Sequence, residues 1–393
     1  MKSNYNSRRQ TDLICLSHLR WNFVYQRPQH LMSRFARHKR VFYIEEPVFD
    51  AAEPFVEKST CPHSGVHVVT PHLVSEAGRI KVMERLLLQC AESQDIRNPL
   101  AWFYTPMALE FFPDSLAPAA IVYDCMDELS LFQGAPPHLS EWETRLMNSA
   151  DLVFTGGISL FEAKRSSHPR VYPFPSGVDV AHFMKARNLG DTPPDNSSMR
   201  RPRLGYAGVV DERLDLELID EAARQRPDWS FVMIGPVVKI SPASLPRRRN
   251  LHWLGMKNYS DLPHYFAGWD VAMMPFALNK STRFISPTKT PEYLAAGLPV
   301  VSTPIRDVVR PYGELGLVRI AATPEEFVNA AERAMAAGMG LKWRERADQF
   351  LETLSWDSVW QRMNQLIEQA SASEKVMRAG SHPPILTTEP ARV

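Results

Sequence analysis

The stretch Ser286-Pro-Thr-Lys-Thr-Pro-Glu-Tyr-Leu-Ala-Ala-Gly-Leu-Pro-Val-Val-Ser-Thr-Pro304 sets a short helix against an apolar strand and puts Lys289 and Glu292 at the helix entry. A helix N-terminus presents free N–H groups and the positive end of the macrodipole, so it suits a diphosphate. Lys289 adds a point charge, and Glu292 adds an acceptor pair suited to vicinal hydroxyls such as those of a ribose. Pro291 has no N–H to donate and would interrupt a helix begun at Pro287, so Ser286–Thr290 is expected as a separate turn with free N–H groups and the Ser286 and Thr288 hydroxyls. The same residues also read as ordinary helix punctuation, with Ser286 as N-cap and Gly297 as stop.

Outward from this stretch, short runs rich in Val, Ile, Phe and Tyr alternate with helical patterns, the mark of parallel sheets covered on both faces. The first half offers strands at 12–17, 40–46, 66–71, 100–106, 120–125, 152–156 and 171–175. The second offers strands at 203–207, 230–235, 251–255, 270–275 and 299–303, then helices over 324–336 and 341–370. Between the halves, Pro, Gly and polar residues crowd together at 186–202, which reads as a linker. The expectation is an α/β chain of two doubly wound, Rossmann-like domains facing across a cleft. Residues 1–185 form the first, 203–355 the second, 356–372 a further helix, and 373–393 a disordered tail.

With 393 residues, 45 Lys+Arg and 44 Asp+Glu, the chain has no bulk attraction for nucleic acid. Basic runs at 34–40 and 247–249 read as solvated faces or as contacts with an anionic membrane. Cys15, Cys61, Cys90 and Cys125 are far apart, which argues against a disulfide framework or a zinc site. The N-terminus has only a four-residue apolar run, and no stretch approaches 18 apolar residues, so a cytoplasmic protein is expected.

Ligands of doubly wound sheets bind beyond the carboxyl ends of the strands. Gly205-Tyr-Ala-Gly208 ends one strand and would let backbone approach a phosphate. Arg213 follows, suited either to a diphosphate or to a salt bridge within Asp211-Glu-Arg-Leu-Asp215. The loop 279–286 brings Thr282, and Leu254–Tyr259 offers backbone groups for a nucleobase with Tyr259 either covering it or packing. In the first half His18 and Arg27 follow the first strand and stand as donor-sugar or acceptor contacts or as structural residues. Asp124 and Asp127 follow a middle strand; either fits a general base, while the bland alternatives are a buried acid and a helix cap.

These residues resemble the retaining glycosyltransferases of the GT-B fold that use nucleotide-sugar donors. The likeness runs through Gly208, Trp253-Leu-Gly255, Trp269–Pro275, Lys289, Glu292, Ala295-Ala-Gly297 and Pro299-Val-Val301, and again at Pro175–Asp179 and Ser355-Trp-Asp357. Trp21–His30 and Val122–Glu128 are similar to a bacterial subgroup tied to cell-surface polysaccharides. The resemblance implies that the helix over 356–372 returns to the first domain, that Lys289 and Arg213 neutralise the leaving diphosphate, that Glu292 holds the ribose, and that neither metal nor cofactor is required. UDP-sugar is the expected donor, and the acceptor a glycan or lipid-linked molecule at the inner face of the membrane. The first acid of the family's paired-glutamate motif falls at Phe284, and the usual glycine pair after the first strand is replaced by Ser17-His-Leu-Arg-Trp21. Those departures keep two rivals open, a sugar-nucleotide 2-epimerase and a catalytically silent nucleotide-sugar-binding subunit.

Overall fold

A computed structural model describes residues 11–190, 192–337 and 340–380 of the chain. Eight strands of the first half join one sheet: β1 (Leu13–Leu16), β2 (Val41–Ile44), β3 (Phe55–Thr60), β4 (His67–His72), β5 (Leu100–Phe103), β6 (Ala120–Cys125), β7 (Leu152–Thr155) and β8 (Val171–Pro173). Their order is β3-β4-β2-β1-β5-β6-β7-β8. All neighbours run parallel except β3 and β4. Successive residues of a strand face opposite sides, and here both sides are covered. Leu13, Cys15, Tyr43 and Trp102 enter one core with Trp356, Val359 and Met363, while Ile14, Leu16, Phe42 and Phe103 enter another with Leu87 and Leu146. That double burial explains why these strands read as unbroken apolar runs, each large side chain contributing about 1.5–3 kcal/mol.

Strand β3 was not expected. Its sequence Phe-Val-Glu-Lys-Ser-Thr is mostly exposed on an antiparallel edge, so no core face imprints an apolar pattern on it.

The second half forms a parallel sheet of β9 (Arg203–Ala207), β10 (Ser230–Ile234), β11 (Leu251–Trp253), β12 (Val271–Met274), β13 (Val300–Ser302) and β14 (Val318–Ile320), in the order β11-β10-β9-β12-β13-β14. Residues 186–202 do not behave as a free linker. A short helix spans Pro194–Ser197, Asn196 is fully buried and donates to the Tyr265 carbonyl at 3.1 Å, and Ala186 sits in the second core. Pro193 and Pro194 start that short helix, which is held against the second domain.

The helical stretch expected over 341–370 is two helices, Leu341–Glu352 and Trp356–Gly380. They break at Ser355, whose hydroxyl accepts from the Ser358 N–H at 3.1 Å. The second helix returns to the first sheet, tied by Arg34 to Asp357 at 2.9 and 3.0 Å. It runs to Gly380, so residues 373–380 are helical, and 381–393 lie outside the described residues. The basic runs are partly neutralised: Arg34 and Arg37 face Asp357, and Arg248 pairs with Asp220. The four cysteines are free. Among the described residues no helix is long and apolar enough to cross a membrane.

Candidate functional site between the two domains

Loops at the carboxyl ends of both sheets meet around two adjoining cavities. One, of about 500 Å³, is lined by Trp21, Phe23 and Tyr25 from the first domain and by Gly208, Tyr259 and Lys289 from the second. The other, of about 550 Å³, carries His18 and Asp127 from the first domain and Arg213 and Lys239 from the second. Each is large enough for a small ligand.

The helix behind Lys289 spans Lys289–Ala295 with Thr288 as N-cap. The turn expected at Ser286–Thr290 is not separate: the Thr290 N–H donates to the Pro287 carbonyl at 3.2 Å and the chain runs straight into the helix, because Pro291 falls in the first helical turn, where a missing N–H costs nothing. The Thr288 and Lys289 amides nonetheless donate to no protein acceptor among the described residues. Tyr293 locks this helix to β9: its hydroxyl accepts from the Ala207 N–H at 2.8 Å. That lock brings Lys289 beside Gly208. A Cβ at Gly208 would come within 2.6 Å of the Tyr206 hydroxyl and 3.5 Å of the Lys289 Cε, so only glycine leaves this approach open.

Lys289 donates from Nζ to Glu292 Oε2 at 3.0 Å. Glu292 lies beneath it, 6 % exposed, and burial pushes its carboxyl up while Lys289 pulls it down. Lys289 thus faces the cleft with a buried counter-charge behind it.

Other expected contacts are already engaged. Thr282 is buried, donating to the Ala277 carbonyl at 2.5 Å and accepting from the Asn279 N–H at 3.1 Å; its hydroxyl closes its own loop. Ser286 does not cap the helix but abuts the first domain, where a Cβ on Gly157 would come within 2.7 Å of its own Cβ. Tyr259 lines the smaller cavity and packs, stacked on His182 at 4.5 Å and against Tyr25 at 4.9 Å. Arg213 takes the salt-bridge reading, bonded to Asp211 at 2.7–3.0 Å; its Nη1 has no protein partner among the described residues, and the residue still borders the larger cavity. Phe284, at the position of the missing acid, packs onto a first-domain core.

The clearest correction concerns Arg27 and Asp124. They lie 2 % and 0 % exposed, the guanidinium donating to both carboxylate oxygens at 2.8–3.1 Å and to the Phe174 carbonyl at 2.8 Å. Neither borders either cavity. They form a buried ion pair that ties the helix Arg27–Phe35 to β6 and the segment after β8, so Asp124 has no access to act as a base.

Asp127 and His18 remain at the cavity wall. Asp127 does not cap the following 3-10 turn, whose cap is Glu128. Burial pushes its carboxyl up to about 6 against the pull of Arg213 and Arg27. Burial also pushes His18 down to about 4, with Lys239 adding to the effect, so its ring is neutral at pH 7; its Nδ1 is buried without a partner. An acid whose folded pKa exceeds its unfolded value of 3.8 destabilises the fold where it is charged and is without effect where both states are protonated. Asp127→Asn is therefore expected to raise the melting temperature above about pH 6, with the gain vanishing below about pH 4. Thermal unfolding of both proteins across that range checks the sign.

Lys239, which lies 5.2 Å from the Phe132 ring centroid with Arg213 at 5.6 Å, and Phe23, which borders both cavities, were not singled out from the sequence. The only signal for Phe23 was an aromatic residue in a loop that follows a strand. Among the described residues no group of three or more His, Cys, Asp or Glu is placed to hold a metal ion.

Two parallel-sheet domains facing across such a cleft, the second carrying a segment that matches a glycosyltransferase family, have the architecture of the GT-B fold. That segment is residues 201–337, which match the family described as Glycosyl transferases group 1. The chain is similar, at 25 % identity over 263 residues, to TuaH of Bacillus subtilis (strain 168), named as a teichuronic acid biosynthesis glycosyltransferase; the alignment covers 62 % of this chain and 65 % of that one. In three dimensions it resembles sucrose-phosphate synthase from Thermosynechococcus elongatus, with a TM-score of 0.68 at 16 % identity, covering 93 % of this chain and 100 % of that one. It also resembles Anabaena HepE in complex with UDP and glucose, with a TM-score of 0.60 at 15 % identity, covering 91 % and 99 %. At such identities the likeness to solved structures is one of fold.

Proposed function

We propose that the chain transfers a sugar from a nucleoside diphosphate sugar to a glycan or lipid-linked acceptor in bacterial cell-surface polysaccharide synthesis, with retention and without a metal. The observation that carries this reading is Lys289, held beside Gly208 at the wall of an interdomain cavity, at the start of a helix whose Thr288 and Lys289 amides are unpartnered among the described residues. The nucleoside occupies the smaller cavity, against Tyr259 and Lys289. The donor sugar reaches the larger one, where Arg213, Asp127 and His18 stand. Glu292 borders neither cavity while Lys289 covers it, and it receives the ribose hydroxyls once Lys289 turns to the diphosphate.

As the bond from the anomeric carbon to the diphosphate breaks, negative charge grows on the leaving group. Stabilising it is the largest lever available to these residues. In a retaining reaction the diphosphate itself takes the acceptor proton. The polysaccharide setting is supported by the likeness to TuaH, and a UDP-sugar donor by the UDP bound to HepE; an acceptor at the inner membrane surface suits that setting.

Thermal shift with UDP, GDP, ADP and their sugars identifies the donor. Release of nucleoside diphosphate in EDTA, only when a glycan acceptor is present, then separates transfer from epimerisation and from silent binding. Loss of activity in EDTA would contradict the metal-free reading. Glu292→Ala is expected to weaken UDP by roughly tenfold or more, the scale of a hydrogen bond to a charged group, and isothermal titration reads it directly.

One observation favours a second reading. Asp127 lines the larger cavity with a carboxyl near neutral pKa, as a general base requires. An inverted product anomer by NMR, with turnover lost in Asp127→Asn, would establish that reading over retention.

A further inference from the structure

Phe23 and Val209 border both cavities, and among the described residues that border them no others do. Val209 follows Gly208 on the second domain, and Phe23 comes from the first-domain loop that follows β1. Lys289 opens on the smaller cavity and Arg213 on the larger. If the nucleoside lies in one and the sugar in the other, as the proposed function has it, the sugar–phosphate bond crosses the partition under Phe23.

The loop presents this ring from a fixed frame. Glu45 accepts from the Trp21 N–H at 2.7 Å and from the Arg20 guanidinium at 3.0 Å. The Leu19 carbonyl accepts from the Tyr43 hydroxyl at 2.9 Å, and Gln29 donates to the Trp21 carbonyl at 2.8 Å while accepting from the Gln26 N–H at 3.1 Å. Both flanks of Phe23 are thus pinned to the first domain. The ring itself is 37 % exposed and belongs to none of the core clusters. A large apolar side chain carried into a cleft by a pinned loop, and not used for core packing, has the properties of a shield.

We propose that Phe23 excludes water from the sugar–phosphate bond of the bound donor, so that the acceptor hydroxyl and not water meets the anomeric carbon. The reaction it suppresses is hydrolysis. Water adds through oxygen to the anomeric carbon, the bond to the diphosphate oxygen breaks, and nucleoside diphosphate and free sugar leave with one water proton passing to solvent. This inference rests on the donor-site reading above.

The test uses the full chain and the nucleotide sugar that gives the largest thermal shift. Nucleoside diphosphate release without acceptor is measured for the unaltered protein, Phe23→Ala and Phe23→Leu. Phe23→Ala is expected to raise acceptor-free release by about tenfold while the thermal shift with the nucleotide persists, and Phe23→Leu, which restores bulk, to return release towards the starting level. Equal release by all three proteins, each still binding the nucleotide, overturns the shield and leaves the donor site standing. Absence of any nucleotide shift in the unaltered protein removes the donor site, and the shield falls with it.

Discussion

Turnover of Lys289→Ala is expected to fall by about a hundredfold or more, the scale of losing one preorganised charge stabiliser at a developing anion. Two features of the structure make the effect large. The backbone that carries Lys289 is fixed, because Tyr293 locks its helix to β9 and the bare Gly208 backbone lies alongside. Lys289 also stands beside the free Thr288 and Lys289 amides, whereas Arg37 and Lys257, which line the same cavity, are paired with Asp357 and Asp195. Arg213 borders the other cavity and is already drawn to Asp211, so it cannot take over the same charge. The loss should follow the diphosphate: affinity for UDP falls while affinity for uridine holds. Equal loss for both ligands would mean that the variant had merely disturbed the cavity, since Glu292 would then lie buried without its cation. Near-normal turnover would remove Lys289 from the mechanism.

Arg27→Met carries the second large effect, and it is one of stability. Removing one member of a buried ion pair leaves the other charge without compensation, which typically costs about 3–5 kcal/mol. Here Asp124 would lose all the Arg27 donors that hold it, and the Phe174 carbonyl would lose its own. Urea unfolding should show the loss. The double variant Arg27→Met, Asp124→Leu removes both charges and is expected to recover most of that stability, since an apolar pair of similar volume is often no worse than a buried ion pair. Because neither residue borders a cavity, the double variant should also keep turnover. An inactive but stable double variant would return Asp124 to the site.

The sequence brought Lys289 to notice because its message is local. A Lys and a Glu three apart, a proline early in the helix and a strand just beyond it all lie within one short stretch, and the helix–strand geometry follows from those neighbours alone. Arg27 and Asp124 are 97 positions apart, and each is a plausible catalytic type at a strand end. Nothing in either neighbourhood says that they meet. The same holds for Arg213, whose alternatives were a ligand and Asp211, two residues away, and only the folded loop decided between them. Phe284 likewise showed that an acid was missing but not that an aromatic residue had been put to use against the first domain.

What the sequence by itself determined was therefore whatever repeats along the chain: two sets of doubly buried parallel strands, the helix carrying Lys289, and the helical character of the segment after Leu341. Apolar periodicity and helix signals depend on neighbours a few residues apart, and they survive reading in one dimension. What only the tertiary structure decided was the use made of each polar side chain. Charges and rings choose partners by distance in space, so the pairing of Arg27 with Asp124 and the place of Phe23 between two cavities came into being only when the two sheets faced each other.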